Sequence, residues 1–227
     1  TVPGFKDIKE RYDDSFWNGV TVEMYREYGN VDAGTANLIY GVPEVLSFSL
    51  LYYREDIFDK YNLAIPNVWD DYYTYIPTLQ KYNMQAEAPQ AGVMIYQYGG
   101  LMYKYDNSRQ ANARASNIDS DLYLKLFDKQ NAFYTEYKCP ITMDGHSRFR
   151  TGEVPMIIGT LSTWKNLYAQ APEIRGLWKF HILPGVEQED GTVNREQIPT
   201  VTYSAIYAAG ANHDGAWEFI QWFNDYE

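Results

Sequence analysis

A chain of 227 residues can bury a full hydrophobic core, and its 45% apolar and 22% charged residues are the balance of a folded globular protein, not of a disordered or fibrous one. Lys plus Arg number 19 against 30 Asp plus Glu, a net charge of -11, and the basic residues are scattered singly. Nucleic acid and an anionic membrane face, both of which require a basic footprint, are therefore excluded as partners.

The first segment, Phe5 to Tyr28, reads as helix or mixed turns, and Asn30 to Ala36 as a polar connector. Ile39 to Val42 and Val45 to Tyr53 read as strand, broken by Pro43, which cannot donate to a ladder. A short helix is expected over Arg54 to Tyr61. Asn67 is the expected cap of the next helix, in which Val68, Tyr72, Ile76 and Leu79 recur at helical spacing and Pro77 introduces a kink.

Gly92 to Tyr96 reads as a short buried strand, followed by a Gly99-Gly100 turn. Ser120 caps a long amphipathic helix with Leu122, Leu126, Phe133 and Tyr137 on one face, ended by Pro140. Val154 to Ile158 is a strand, Ser162 to Ala171 a helix stopped by Pro172, and Trp178 to Leu183 a further strand. Pro184 to Pro199 is a polar loop with a turn at Asp190-Gly191. Val201 to Ala209 is β-rich, and Asp214 caps a last helix with Ala216, Phe219, Ile220 and Phe223 as its apolar stripe. This alternation of strand and helix predicts an α/β layer architecture.

Few catalytic chemistries find their residues here. Neither GxxxxGK[ST] nor GxGxxG after a strand is present, nor a GxSxG elbow. His146, His181 and His213 lie far apart with no second ligand at zinc spacing, so neither a metal nor a cofactor is expected. Cys139, the only cysteine, can form no internal disulfide and is expected in the core. Glu44, Glu153 and Glu173 lie near turn signals and could in principle serve glycoside hydrolysis as a carboxylate pair. No apolar run approaches the ~20 residues of a membrane helix, and TVPGFKDIKE has neither region of a signal peptide. The close on WFNDYE, without a cap, reads as a cut end.

The aromatic content, 22 Tyr with 10 Phe and 6 Trp, suits surfaces that meet flat hydroxylated ligands, although most such rings pack cores. In this setting a set of segments falls into a known order. The stretch YGVPEVLSFSLLYYREDIFDKYNLAIPNVWDDYYTYIPTLQ resembles the central signature of family 1 extracellular solute-binding proteins, the carbohydrate-binding subunits of ABC importers. Pro66 to Asp70 is similar to the family's "Pro-x-Thr-Trp-Asp" helix start, with Val68 in the Thr position. RFRTGEVPMIIG resembles its "Phe-x-x-Gly-x-x-Ala-Met" strand entry with Pro155 in place of Ala, and the stretch from Ser162 to Gly185 and then AWEFIQWF resemble the elements that follow. RFRTGE with APEIRGLW is most similar to the large surface lipoproteins of Gram-positive bacteria in this family.

The resemblance implies one lobe of a type II periplasmic-binding-protein-like α/β fold, present as a fragment. The lobe core would span about 54–185, with crossover strands near 41–53 and 201–209 and a returning helix at 214–226. It further implies a monomeric, non-catalytic receptor at the cell surface, lipid-anchored, that passes a sugar to the membrane permease of an ABC importer. Carboxylates and amides that hold hydroxyls, and rings that cover C–H faces, are expected at strand ends facing the cleft. Those positions are Glu44, Tyr96, Gln97, Tyr98, Trp164 and Tyr203. The alternatives are a glycosidase-like enzyme or an adhesion or scaffold domain.

Overall fold

The computed structural model describes residues 3–17, 20–24, 36–89, 91–100, 103–105 and 114–225. The chain divides into two compact units: a smaller one of Thr1–Ser47 with Pro199–Glu227, and a larger one that runs continuously over Phe48–Ile198.

The smaller unit begins with two short helices, α1 (Phe5–Lys9) and α2 (Asp14–Trp17). An antiparallel ribbon follows, β1 (Thr21–Met24) on β2 (Ala36–Ile39), with Thr21 opposite Ile39. The helix expected through Tyr28 thus gives way at Val20-Thr21-Val22, where β-branched side chains favour extended backbone. Residues 25–35, which hold most of the expected connector, lie outside the described residues.

β3 (Val42–Ser47) continues through Pro43 where the sequence predicted a break. Its antiparallel partner sets Thr202 opposite Val45 and Tyr203 opposite Pro43, so Glu44 is the extra residue of a bulge. The ladder is locally disrupted beside a bulge, which accommodates the neighbouring Pro43 although it has no N–H. The chain breaks instead at Phe48-Ser49. There the Ser49 N–H donates to Gln197 Oε1 at 2.7 Å, and Gln197 Nε2 donates to the Ser49 carbonyl at 3.1 Å.

The larger unit is built on β4 (Leu50–Arg54), whose five residues are all buried. The helices α3 (Glu55–Lys60), α4 (Trp69–Lys81) and α5 (Ala91–Gln97) follow, then a ribbon of β5 (Tyr103–Tyr105) and β6 (Arg114–Ser116). Next come α6 (Asp121–Thr135), α7 (Gly145–Thr151), β7 (Met156–Gly159) and α8 (Leu161–Gln170). A 3₁₀ turn at Pro172–Ile174 leads to β8 (Trp178–Ile182), and a small hairpin of β9 (Val186–Glu187) and β10 (Val193–Asn194) ends the unit. β4 is the middle strand of the sheet β7-β4-β8 and pairs antiparallel on both sides.

Both faces of β4 are covered, which explains an apolar run without alternation. Leu51 and Tyr53 enter the cluster of Trp69, Tyr72, Ile76, Met94 and Phe133 from α4, α5 and α6, which also takes in Cys139. Leu50 and Tyr52 enter the cluster of Phe149, Ile157 and Leu167 beneath α7 and α8. Arg54 ends the strand buried, donating to both carboxylate oxygens of Asp56 at 2.8 and 2.7 Å and to the carbonyls of Phe149 and Arg150, each at 3.1 Å.

Several helix boundaries differ from those predicted. Asn67 does not cap α4: the Asp71 carboxylate reaches back to accept the N–H groups of Asn67 and Val68, at 3.0 and 3.1 Å. The Asn67 side chain accepts from Arg195 instead. Pro77 lies inside α4, which continues to Lys81. Gly92 to Tyr96 forms helix, not strand, because Gly99 at φ 76° supplies the left-handed residue that closes it and the Gly100 N–H returns to the Ile95 carbonyl at 2.8 Å. Ser120 caps α6 as predicted, accepting from the Tyr123 N–H at 3.3 Å. That helix stops at Thr135, before Pro140 can act, and Lys138 turns the chain at φ 55°. α8 is capped by Thr160, with Ser162 inside its first turn.

The chain returns to the smaller unit as β11 (Thr200–Ser204), the partner of β3, and α9 (His213–Asn224). Asn212 caps α9 through the Gly215 N–H at 2.9 Å, while Asp214 lies in the first turn, where its charge favours the helix dipole. Of the expected stripe only Ile220 is buried, with Ile8, Trp17 and Val42. Phe219 and Phe223 stack on each other outside, because Trp217 takes the place next to that small cluster.

Candidate ligand-binding site

In an α/β fold, ligands gather at strand ends and helix starts. The end of β7 in the larger unit carries the groups such a site requires. Glu87 lies in the extended segment between α4 and α5, and its Oε2 accepts the Ile158 N–H at 2.7 Å while its own carbonyl accepts the Tyr72 hydroxyl at 2.7 Å. Its other carboxylate oxygen faces Gly145, where a Cβ would stand 3.6 Å away. Burial pushes the Glu87 carboxyl above its usual range, and the bond from Ile158 opposes that shift in part.

Beyond β7 the chain turns tightly. Gly159 lies so close to Thr163 that a Cβ has no room, which brings Thr160 directly to the start of α8. Thr160 Oγ1 and Ser162 Oγ share a hydrogen bond at 2.7 Å, and the Tyr52 hydroxyl donates to the Thr160 carbonyl at 2.7 Å. A carboxylate and two hydroxyls thus serve one strand end. This is a set that can donate to and accept from hydroxyls.

The six residues singled out from the sequence fall in different places. Trp164 is on the outer face of α8, about 42% exposed, stacked on Tyr168 at 5.5 Å and 18°. It borders a hollow of about 320 Å³ with Tyr168, Arg175, Trp178 and Phe180. Tyr96 is half-buried against the Trp69 cluster. Gln97 is wholly buried: its Oε1 accepts from Trp69 Nε1 and its Nε2 donates to the Pro184 carbonyl at 3.2 Å, so both ends are engaged internally. Tyr98 borders a hollow of about 200 Å³ at the start of α4, beside Asp70 and Glu187. Lys129 lies 5.7 Å from the Tyr98 ring and 3.2 Å from Asp70. Burial works against its charge, but its bonds to Tyr98 and Asp70 outweigh that and raise its pKa.

The other two belong to the smaller unit. Glu44, exposed at the bulge, accepts from Ser204 Oγ at 2.9 Å and borders a hollow of about 480 Å³ with Tyr12, Trp222 and Phe223. The Tyr203 hydroxyl donates to the Phe16 carbonyl at 3.0 Å.

The carboxylates weighed for hydrolysis are otherwise engaged: Glu153 pairs with Arg148 at 3.7 Å and Glu173 with Arg150 at 2.7 Å, all on the surface. Among the described residues no three His, Cys, Asp or Glu side chains are grouped to hold a metal. No described helix is long and apolar enough to cross a membrane. Glu87 was missed in the sequence. It stands alone in QAEAPQ, 71 residues from the Ile158 N–H that fixes it, and the only signal was its position two residues before Pro89, ahead of a helix start.

Residues 2–227 match the family model described as bacterial extracellular solute-binding protein, and the chain belongs to that family. No curated protein matches it at the same level of significance. Among solved structures it is similar to an ABC transporter solute-binding protein of Thermotoga lettingae bound with α-D-tagatose. The TM-score is 0.66 at 17% identity, with 96% of this chain and 56% of that chain covered. The fold is thus that of a solute-binding protein, and the chain spans little more than half the length of that solved relative.

Proposed function

We propose that the chain is part of a receptor that captures a carbohydrate outside the cytoplasm and hands it to an ABC importer without altering it. The observation that carries this reading is the family match over the whole chain, joined to a fold shared with a protein that holds a sugar. In this reading the larger unit is the core of the second lobe, and the segments near 41–53 and 201–209 are its crossovers. The parent is a monomer, lipid-anchored at the cell surface, and its partner is the membrane permease.

In the larger unit the groups offered to a ligand's hydroxyls are the Glu87 carboxylate and the hydroxyls of Thr160 and Ser162, with Tyr98 as a ring, and in the smaller unit the Glu44 carboxylate. Tyr96 and Tyr203 support these groups, and Gln97 acts from the interior by holding Trp69. Carboxylate bonds to sugar hydroxyls are charge-assisted and set orientation, which is what a receptor needs and a hydrolase would have to supplement with a free acid.

Titration calorimetry against a panel of mono- and oligosaccharides, tagatose included, tests the reading. A saturable isotherm with one sugar, weakened at least tenfold in Glu87→Gln, or about 1.4 kcal/mol, is expected. No heat with any sugar would remove the carbohydrate assignment.

A further inference from the structure

Tyr52 carries a buried hydroxyl among apolar side chains. It lies on the middle strand β4, wholly buried, in the cluster of Leu50, Phe149, Ile157 and Leu167, with the Trp178 and Phe180 ring centroids 5.9 and 5.8 Å from its own. For packing alone a Phe would fill this place, and a hydroxyl taken out of water costs free energy unless it is bonded. The bond it makes leads to the end of β7, where the hydroxyl donates to the Thr160 carbonyl at 2.7 Å. Burial raises the Tyr52 hydroxyl above its usual range, and a bond from the Trp164 N–H opposes that shift. The Tyr52 oxygen therefore accepts from the first turn of α8 while its proton goes to the residue that caps that turn.

This changes how α8 begins. In α4, α6, α7 and α9 the carbonyl of the capping residue accepts the N–H four positions on: Tyr72 to Val68 at 3.3 Å, Leu124 to Ser120 at 3.0 Å, Arg148 to Asp144 at 3.1 Å and Ala216 to Asn212 at 3.2 Å. In α8 the Thr160 carbonyl accepts the Thr163 N–H, three positions on, at 2.9 Å, together with the Tyr52 hydroxyl. The Thr163 hydroxyl in turn accepts the Thr160 N–H at 3.2 Å. A hydroxyl from the strand thus bridges the first rung of the helix, and a group inserted there redirects the chain. Thr160 and Ser162, whose hydroxyls share a bond at 2.7 Å, ride on that turn. Gly159 packs so closely on Thr163 that a Cβ has no room, which fixes the turn from the β7 side as well.

On the carbohydrate reading of this strand end, we propose that Tyr52 is a positioning residue of the binding site: its hydroxyl, through the Thr160 carbonyl and the Trp164 N–H, fixes the turn that presents the Thr160 and Ser162 hydroxyls to a sugar. Tyr52 itself is wholly buried and acts only through these two groups. Its ring serves the core and its oxygen serves the site, and Tyr52→Phe separates the two roles because it removes the oxygen alone.

The test is a double-mutant cycle of Tyr52→Phe and Ser162→Ala, read by titration calorimetry with whichever sugar of the mono- and oligosaccharide panel, tagatose included, the protein binds best. Tyr52→Phe is expected to weaken binding about three- to tenfold, the scale of one hydrogen bond, and to leave the thermal midpoint within a few degrees of the parent's. Ser162→Ala, at an exposed position of the first turn, is expected to weaken binding by a similar factor. The double variant should lose clearly less than the product of the two single losses, because one of the hydroxyls that Tyr52 positions is already gone. Single losses that multiply in full, or a Tyr52→Phe affinity equal to the parent's, would overturn the proposal. A collapse of the thermal midpoint in Tyr52→Phe would make the hydroxyl a structural element and overturn it too. No heat from the parent with any sugar would instead end the carbohydrate reading, and the proposal with it.

Discussion

Leu51 and Tyr53 of β4 meet a face roofed by α4, α5 and α6, whereas Leu50 and Tyr52, their immediate neighbours, meet one roofed by α7 and α8. The first face is closed down to Trp69, Tyr72 and Phe133, each almost wholly buried, while the second runs out at Phe180 and Ile182, each about half exposed. Because successive residues of a strand point to opposite faces, one short segment serves both a finished core and an unfinished one. The difference teaches where stability resides: on the closed face, leaving the strand ends for binding.

The largest effect should come from the closed face. Trp69→Ala removes a buried ring and the donor to Gln97, and is expected to cost about 3–5 kcal/mol by denaturant titration. A loss as small as that of a surface residue would mean that the closed face does not hold the unit together.

At the edge between the faces, Arg54→Met leaves the Phe149 and Arg150 carbonyls and the Asp56 carboxylate without their donor, and about 2–3 kcal/mol should be lost. Its pH signature sharpens the test. The bonds from Arg54 hold the Asp56 carboxyl below its usual range, against the opposing effect of burial. That stabilisation is present above the unfolded carboxylate's pKa and is lost as pH falls through the lower folded value. Acid titration of stability should therefore be shallower in Arg54→Met than in the parent chain.

Glu87 should behave in the opposite sense, since burial raises its carboxyl. The folded state keeps this proton longer than the unfolded one, so the ionised group weakens the fold as pH rises through its folded pKa and has no such cost below the unfolded value. Glu87→Gln is expected to change neutral-pH stability by less than about 1 kcal/mol and to flatten this limb, while sugar affinity falls. A large destabilisation would make Glu87 a structural residue.

The smallest effect should come from a surface away from both faces. Phe219, about 60% exposed on α9, should tolerate Phe219→Ser within about 0.5 kcal/mol, measured by thermal denaturation of the 227-residue chain.

Much of this architecture was legible because the signals are local. LLYYR is a buried strand by composition alone, and Ser120 announces α6 by the hydroxyl that bonds the Tyr123 N–H. What was not legible depends on distant partners or on period. Gly92 to Tyr96 is too short an apolar run to separate a strand from a buried helix, and Gly99 decided it. Asn67 is a good cap by type, but Asp71 already satisfies the N–H groups it would have served. Gln97 looked like a ligand group because it is polar, and only the fold reveals that Trp69 and Pro184 use both its ends. Trp164 was singled out as a ring for the ligand, whereas its stacking on Tyr168 beside Phe180 depends on β8, a strand the sequence does not place next to it.

The receptor reading is tested most directly by holding the protein with the sugar it binds best, then separating protein from solution and analysing both by chromatography. The sugar should be retained in stoichiometric amount and recovered chemically unchanged, with no product accumulating over time. Failure to retain any sugar, or catalytic release of reducing ends that continues beyond one equivalent, would contradict it.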